Sequence, residues 1–134
     1  MSPVLVDSNV LLDVMTEDPL WCAWSERMLS QTGERSILVI NPIIYAEVSM
    51  GFEHVEDLDD ALPAEAYRRE ALPWDAGFLA GKCFVLYRRR GGVRRSPLPD
   101  FYIGAHAAVR QHTLLTRDAR RYREYFPTLE ILSP

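Results

Sequence analysis

Ile37-Leu38-Val39-Ile40-Asn41-Pro42-Ile43-Ile44-Tyr45-Ala46-Glu47-Val48 reads as a strand that turns directly into a helix. Four consecutive apolar residues suit a strand buried on both faces. Asn41 is a favoured N-cap, and Pro42 fits the first helical position, where its missing N–H is no loss. Gly51 is placed to end this helix, and Glu47 stands in it as a lone acid. The pattern recurs along the chain. Val4-Leu5-Val6 ends in Asp7 and leads to a short helix over 9–15. His112-Thr113-Leu114-Leu115-Thr116 runs to Asp118 and opens a short Arg-rich helix. Further helices are expected over 19–29, where Leu20, Trp24 and Met28 keep helical spacing until Gly33 stops the run, around 64–70, over about 75–88, and from Asp100 onward behind Pro97 and Pro99. A last strand is expected near 129–132. Short apolar strands alternating with helices predict a single α/β domain over 1–134, a three-layer α/β/α sandwich around a short, mainly parallel sheet.

With 134 residues, 48% hydrophobic and 25% charged, the chain is long enough to close one core and has an ordinary globular composition. No apolar stretch approaches the roughly 18 residues of a membrane span. Ser2-Pro3 leads straight into strand-like residues with no signal-peptide pattern, and a cytoplasmic protein is expected. Cys22 and Cys83 show no metal-ligand spacing and read as buried thiols. The net charge of −4 conceals a segregation. From Lys82 to Arg123 there are eleven basic residues and two acids, a balance of +9, whereas the rest of the chain has four and seventeen, a balance of −13. A basic stretch of this density suits phosphate contacts, with Arg88, Arg89, Arg90, Arg94, Arg95 and Arg117 as candidates; the alternative is solvated helix surface.

Asp7, Glu47, Asp100 and Asp118 each lie where a strand ends or a helix begins. In an open α/β sheet such positions converge in the crevice beyond the carboxyl ends of the strands. Carboxylates gathered there repel one another unless a cation neutralises them, and an all-oxygen cluster suits Mg²⁺ or Mn²⁺. A metal-dependent site for phosphodiester hydrolysis is the simplest reading. Asn9 and Thr116 are candidates for holding a carboxylate or an ordered water. Each position also has a plainer reading. Ser8 or Asn9 can cap a helix, Thr116-Arg117-Asp118 can be a capping turn, Asp100 can be stabilised by a helix dipole, and Glu47 can face solvent. Asp13 is four residues after Asn9 and reads as structural or exposed. His106 is about 120° round the helix from Asp100 and should face elsewhere. His54 and His112 sit in no recognisable metal motif, and Trp21, Trp24 and Met28 read as core or, in part, as a partner surface.

As an ordered set, the segments Val4–Asp13, Tyr45-Ala46-Glu47-Val48, Pro99–Ala107 and Leu114–Tyr122 resemble the PIN-domain family, and within it the VapC-type toxins of bacterial toxin–antitoxin pairs. The resemblance spans nearly the whole chain. It implies a sandwich around a short parallel sheet and a Mg²⁺- or Mn²⁺-dependent endoribonuclease, with RNA as substrate. It also implies a cytoplasmic homodimer held in check by a small VapB-type antitoxin. The family's acidic quartet falls on Asp7, Glu47, Asp100 and Asp118, with Asn9 and Thr116 in support. A non-toxin PIN nuclease of RNA processing and a catalytically silent binding module are the alternatives. A haloacid-dehalogenase-type phosphatase would need an acid where Asn9 stands. A receiver domain would need a late lysine, and Lys82 is the only lysine. The acidic stretch 53–60 matches no motif.

Overall fold

The computed structural model describes residues 2–134. Strands β1 (Val4–Val6), β2 (Leu38–Ile40), β3 (Tyr67–Arg69), β4 (Thr113–Leu115) and β5 (Ile131–Leu132) form one parallel sheet in the order β3-β2-β1-β4-β5. Helices α1 (Ser8–Met15), α2 (Cys22–Arg35), α3 (Pro42–Ser49), α4 (Val55–Ala61), α5 (Trp74–Arg89), α6 (Pro99–Arg110) and α7 (Arg120–Tyr125) make the connections. The chain builds outward from β1 through β2 to β3, then reverses to the other side through β4 and β5. The reversal lies between β1 and β4, and a crevice at that point is where open α/β sheets hold ligands. The three central strands are buried throughout, which explains why they read as unbroken apolar runs rather than alternating ones.

Register sets up the site. Val6 pairs with Leu115, and the Asp7 amide donates to the Leu115 carbonyl at 2.9 Å. Asp7 and Thr116 therefore leave adjacent strand ends side by side. Asn41 caps α3 as its sequence predicts, accepting from the Ile44 amide at 2.9 Å, with Pro42 at the start of the helix. Helices α5, α6 and α7 pack together, and α1 packs against α2 and α3.

Three expected elements differ. Helix α2 begins at Cys22 instead of 19 and passes through Gly33 to Arg35. Gly33 does not stop the helix; a β-carbon there would stand 3.5 Å from Leu38 Cδ1, an ordinary van der Waals contact with β2. Residues 64–70 are not a helix. Tyr67–Arg69 is an edge strand, paired in parallel with β2, whose Arg68 and Arg69 are exposed as charged edge residues often are. The third difference is a helix over 55–61 within the acidic stretch. Asp59 in that helix accepts from Tyr45 Oη at 2.8 Å and pairs with Arg69 at 2.9 Å, tying α4 to α3 and β3. No helix among the described residues is long and apolar enough to cross a membrane.

Candidate functional site

Asp7, Glu47, Asp100 and Asp118 line one cleft of about 620 Å³, together with Ser8, Asn9, Arg120, Arg121 and Glu124. Four elements and their flanks supply the acids. Asp7 follows β1, Glu47 lies in α3, Asp100 is in the first turn of α6, and Asp118 lies between β4 and α7.

Asp7 is the buried member. Its Oδ2 accepts from Thr116 Oγ1 at 2.8 Å and from Tyr122 Oη at 2.9 Å, and its Oδ1 accepts from the Ser8 amide at 2.8 Å. Burial, reinforced by the nearby charges of Asp100 and Glu47, pushes its carboxyl from 3.8 up to about 6 even though these hydrogen bonds pull the other way. Burial also raises Glu47 and Asp100 above the ordinary carboxylate range. Asp118 is the exposed member and goes the other way. Hydrogen bonds from Arg120 hold it low, through a pair with 3.1 Å between Nη2 and Oδ2. Arg121 stands 4.0 Å from Asp100.

The supporting residues are arranged around this core. Asn9 Nδ2 donates to Thr116 Oγ1 at 3.3 Å, and Asn9 Oδ1 accepts from the Arg117 amide at 3.1 Å. The Asp118 amide donates to Thr116 Oγ1 at 3.2 Å. Thr116 is thus the junction of Asp7, Asn9 and Asp118. Ser8 is not the helix cap; Asp7 holds that position, and Ser8 Oγ donates to Glu47 Oε1 at 2.9 Å. Asn9 does not cap either, because its amide spans the gap to the β4 end.

Sequence reasoning missed Tyr122. Its side chain is 1% exposed, and its hydroxyl reaches Asp7 and, at 3.3 Å, Asp100 Oδ1. Burial and the adjacent carboxylates raise its phenol well above the ordinary range, so it stays protonated and donates. No local signal marked it, because Asp118 precedes α7 and helical spacing does not link the two; Tyr122 is recognised only from its contacts. Arg120, Arg121 and Glu124 at the rim were also missed, since an Arg-rich surface helix gives no indication of which residues turn inward.

Other candidates lie elsewhere. Arg117 Nε donates to buried Asp13 at 2.9 Å, which also accepts from Ser25 Oγ at 2.8 Å, and the Arg117 guanidinium lies 5.7 Å from the Trp21 ring. Asp13 is therefore structural. Arg88 donates to the Gly92 and Arg94 carbonyls and closes the turn after α5. Arg90 pairs with Glu124 at 3.5 Å and covers the Tyr125 ring, beside the cleft, whereas Arg89, Arg94 and Arg95 are exposed. His106 faces away from the acids, as its helical angle requires, and joins His112 and Glu70. Trp21 and Trp24 meet edge to face with ring centroids 6.2 Å apart, both half-buried. Cys22 and Cys83 are free thiols.

The cleft offers a set of carboxylate oxygens, with hydroxyl donors holding Asp7 and Glu47 in place. That donor set fits a hard, oxygen-preferring divalent cation and does not fit one that requires thiolate or imidazole.

A family model described as "PIN domain" matches residues 4–126. No curated protein matches the chain in sequence. Among solved structures, VapBC2 from Rickettsia felis bound to a promoter DNA fragment contains a similar chain, with a TM-score of 0.75, 16% identity and 98% of each chain covered. VapBC-1 from nontypeable Haemophilus influenzae gives 0.73 and 18%, covering 98% of this chain and 97% of the other. DNA-bound VapBC from Salmonella typhimurium gives 0.70 and 20%, covering 99% and 98%. At these identities the likeness is one of fold.

Proposed function

Because this chain belongs to the PIN-domain family, we propose that residues 1–134 form one PIN domain acting as a Mg²⁺- or Mn²⁺-dependent endoribonuclease, the VapC-type toxin of a toxin–antitoxin pair. The observation that carries the reading is the convergence of Asp7, Glu47, Asp100 and Asp118 on one cleft whose most buried carboxyl is raised to about 6. Such a cluster is electrostatically incomplete without a cation.

Asp7, Glu47, Asp100 and Asp118 are the residues that would hold one, directly or through water. When bound, a divalent ion supplies Lewis acidity, acidifying an attacking water and offsetting charge on the phosphate. Thr116 and Tyr122 orient Asp7, and Ser8 orients Glu47. Arg120 and Arg121 lie at the cleft and can contact the phosphates flanking the scissile one, Arg120 by exchanging its pairing with Asp118. Arg90 lies beside Glu124 at the rim, and the exposed Arg89, Arg94 and Arg95 are further candidates for contacts to the RNA backbone. By family resemblance the products carry a 5′-phosphate and a 3′-hydroxyl. Resemblance also supports a cytoplasmic homodimer and a VapB-type antitoxin that presents a basic side chain to the acids, and the toxin–antitoxin complexes among the structural neighbours support the same partner.

The test is direct. Antitoxin-free protein should cut RNA with Mg²⁺ or Mn²⁺ and stop with EDTA, and Asp7→Asn and Asp100→Asn should each remove most activity while the fold persists. Full activity in EDTA, or in both variants, would overturn the reading. Growth without arrest on expression of the chain alone would favour a PIN nuclease of RNA processing over a toxin.

A further inference from the structure

Outside the cleft, Glu70, His106 and His112 form the one three-residue group of potential metal ligands recognised among the described residues. His106 Nε2 lies 3.1 Å and His112 Nε2 2.8 Å from Glu70 Oε1. The surrounding donors and acceptors argue against a metal there. Asn41 Oδ1 is committed to the Ile44 amide as the cap of α3, so its Nδ2 is the atom 2.9 Å from His106 Nδ1. Nδ1 must then be the acceptor, and the His106 proton sits on Nε2, where it donates to Glu70. A metal-bound Nε2 would require a proton on Nδ1, facing another donor. His112 is no better placed, because its buried Nδ1 has no hydrogen-bond partner, whereas a ligating histidine normally donates through its second nitrogen. Burial lowers the His106 imidazole below its ordinary value and keeps it neutral. Burial opposes ionisation of Glu70, but hydrogen bonds from His112, Arg68 and His106 outweigh it and keep the carboxylate charged.

This hydrogen-bonded row crosses between the two helices that carry acids of the cleft. Asn41 caps α3, which bears Glu47; His106 belongs to α6, which bears Asp100. Each link residue is six positions from its acid, about 9 Å along the helix. Helices α3 and α6 pack directly against each other. We propose that the Asn41–His106 hydrogen bond, held in its tautomer by Glu70, is a brace that fixes α3 against α6 and so sets the spacing of Glu47 and Asp100 for cation binding. Asn41, His106 and Glu70 are positioning residues in this scheme, which rests on the metal-cleft reading above.

Two isosteres separate the brace from a general structural role. His106→Asn puts an amide oxygen where Nδ1 was and keeps the bond from Asn41. His106→Gln puts an amide nitrogen where Nε2 was, keeping Glu70 and losing Asn41. Each forfeits one of the two His106 side-chain hydrogen bonds, the buried one to Asn41 in the Gln form and the part-buried one to Glu70 in the Asn form, so a structural role shows as a change in Tm and the brace as a change in metal affinity. Calorimetric titration of the full chain with Mn²⁺ should show His106→Gln binding about tenfold more weakly than wild type, at the low end of what losing a supporting hydrogen bond costs metal sites, and His106→Asn within about twofold of wild type. Asn41→Ser retains the cap but not the brace and should match His106→Gln, providing the same comparison if that variant does not fold. Equal Mn²⁺ affinity in all variants, or equal loss in the Asn and Gln forms, would overturn the brace while leaving the metal reading intact; no Mn²⁺ binding by wild type would remove both. Independently, ¹⁵N shifts of wild-type His106 at neutral pH should show the Nε2-protonated tautomer. An Nδ1-protonated ring, or submicromolar Zn²⁺ binding lost in His112→Gln, would reassign the group as a metal site.

Discussion

Tyr122 Oη lies 2.9 Å from Asp7 Oδ2 and 3.3 Å from Asp100 Oδ1, so a single buried hydroxyl proton is shared between two carboxylates that repel each other. Tyr122 thus spans two acids supplied by different elements, one from the end of β1 and one from the start of α6. The cost of gathering the acids is met partly inside the protein, by this hydroxyl and by Thr116. In the proposed metal-site reading, the remainder falls to a cation.

Tyr122→Phe removes that bridge without removing the ring from the core. The expected result is a stability loss of about 1 kcal/mol, the net value of one buried hydrogen bond, and Mn²⁺ binding weaker by about tenfold. Thermal melts paired with calorimetric titration would check both. Unchanged metal affinity would reduce Tyr122 to a packing residue.

The pH dependence of Asp7 can be isolated by difference. Its carboxyl rises from 3.8 to about 6 on folding, so the folded chain binds this proton more tightly than the unfolded chain. The resulting stability is fully present below about pH 4 and is lost as pH rises through 6, about 3 kcal/mol at most. His106, lowered by burial, acts in the opposite direction, losing stability as pH falls below its ordinary value of 6.5. Asp7→Asn cancels that background. Metal-free wild type should therefore gain stability relative to Asp7→Asn between pH 7 and pH 4 in denaturant titrations. A flat difference would mean that Asp7 is not raised.

Neutralising Arg89, Arg90 and Arg94 together should weaken RNA binding and reduce its salt dependence. Each lost phosphate contact lowers the log–log slope by roughly 0.7 for single-stranded RNA. Filter binding across salt concentrations measures this, and an unchanged slope would return these arginines to solvated surface. Arg117→Ala should behave differently, with most of its effect on stability, because it strands the buried Asp13 carboxylate.

Gly104→Ala should destabilise the protein by about 1–3 kcal/mol, the usual range for overpacking. A β-carbon there would overlap the buried ring of Phe126, so the ring or its segment must shift. Denaturant midpoints would show the effect; a neutral substitution would mean that the segment after α7 shifts easily.

The alternating pattern, the Asn41-Pro42 helix start and the positions of Asp7 and Asp100 at element ends were legible because each depends on neighbours within a few residues; Glu47 lies near the far end of α3 and not where that helix begins. Apolar runs report burial on both faces, caps report local hydrogen bonding, and a charge beside a buried strand needs a partner. The edge strand at Tyr67–Arg69 was not legible, since three residues with two exposed arginines become a strand only by pairing with β2. Gly33 reads alike as a helix stop or a packing contact until Leu38 is set against it. Tyr122, the Ser8–Glu47 bond and the His106–Asn41 link join residues 39 to 115 positions apart. Local chemistry in the sequence determined which groups this protein can bring to a cation. The tertiary structure alone decided which of them share a proton, which are neutralised by arginine and how far apart they stand, because those properties depend on distances set by strand register and helix packing.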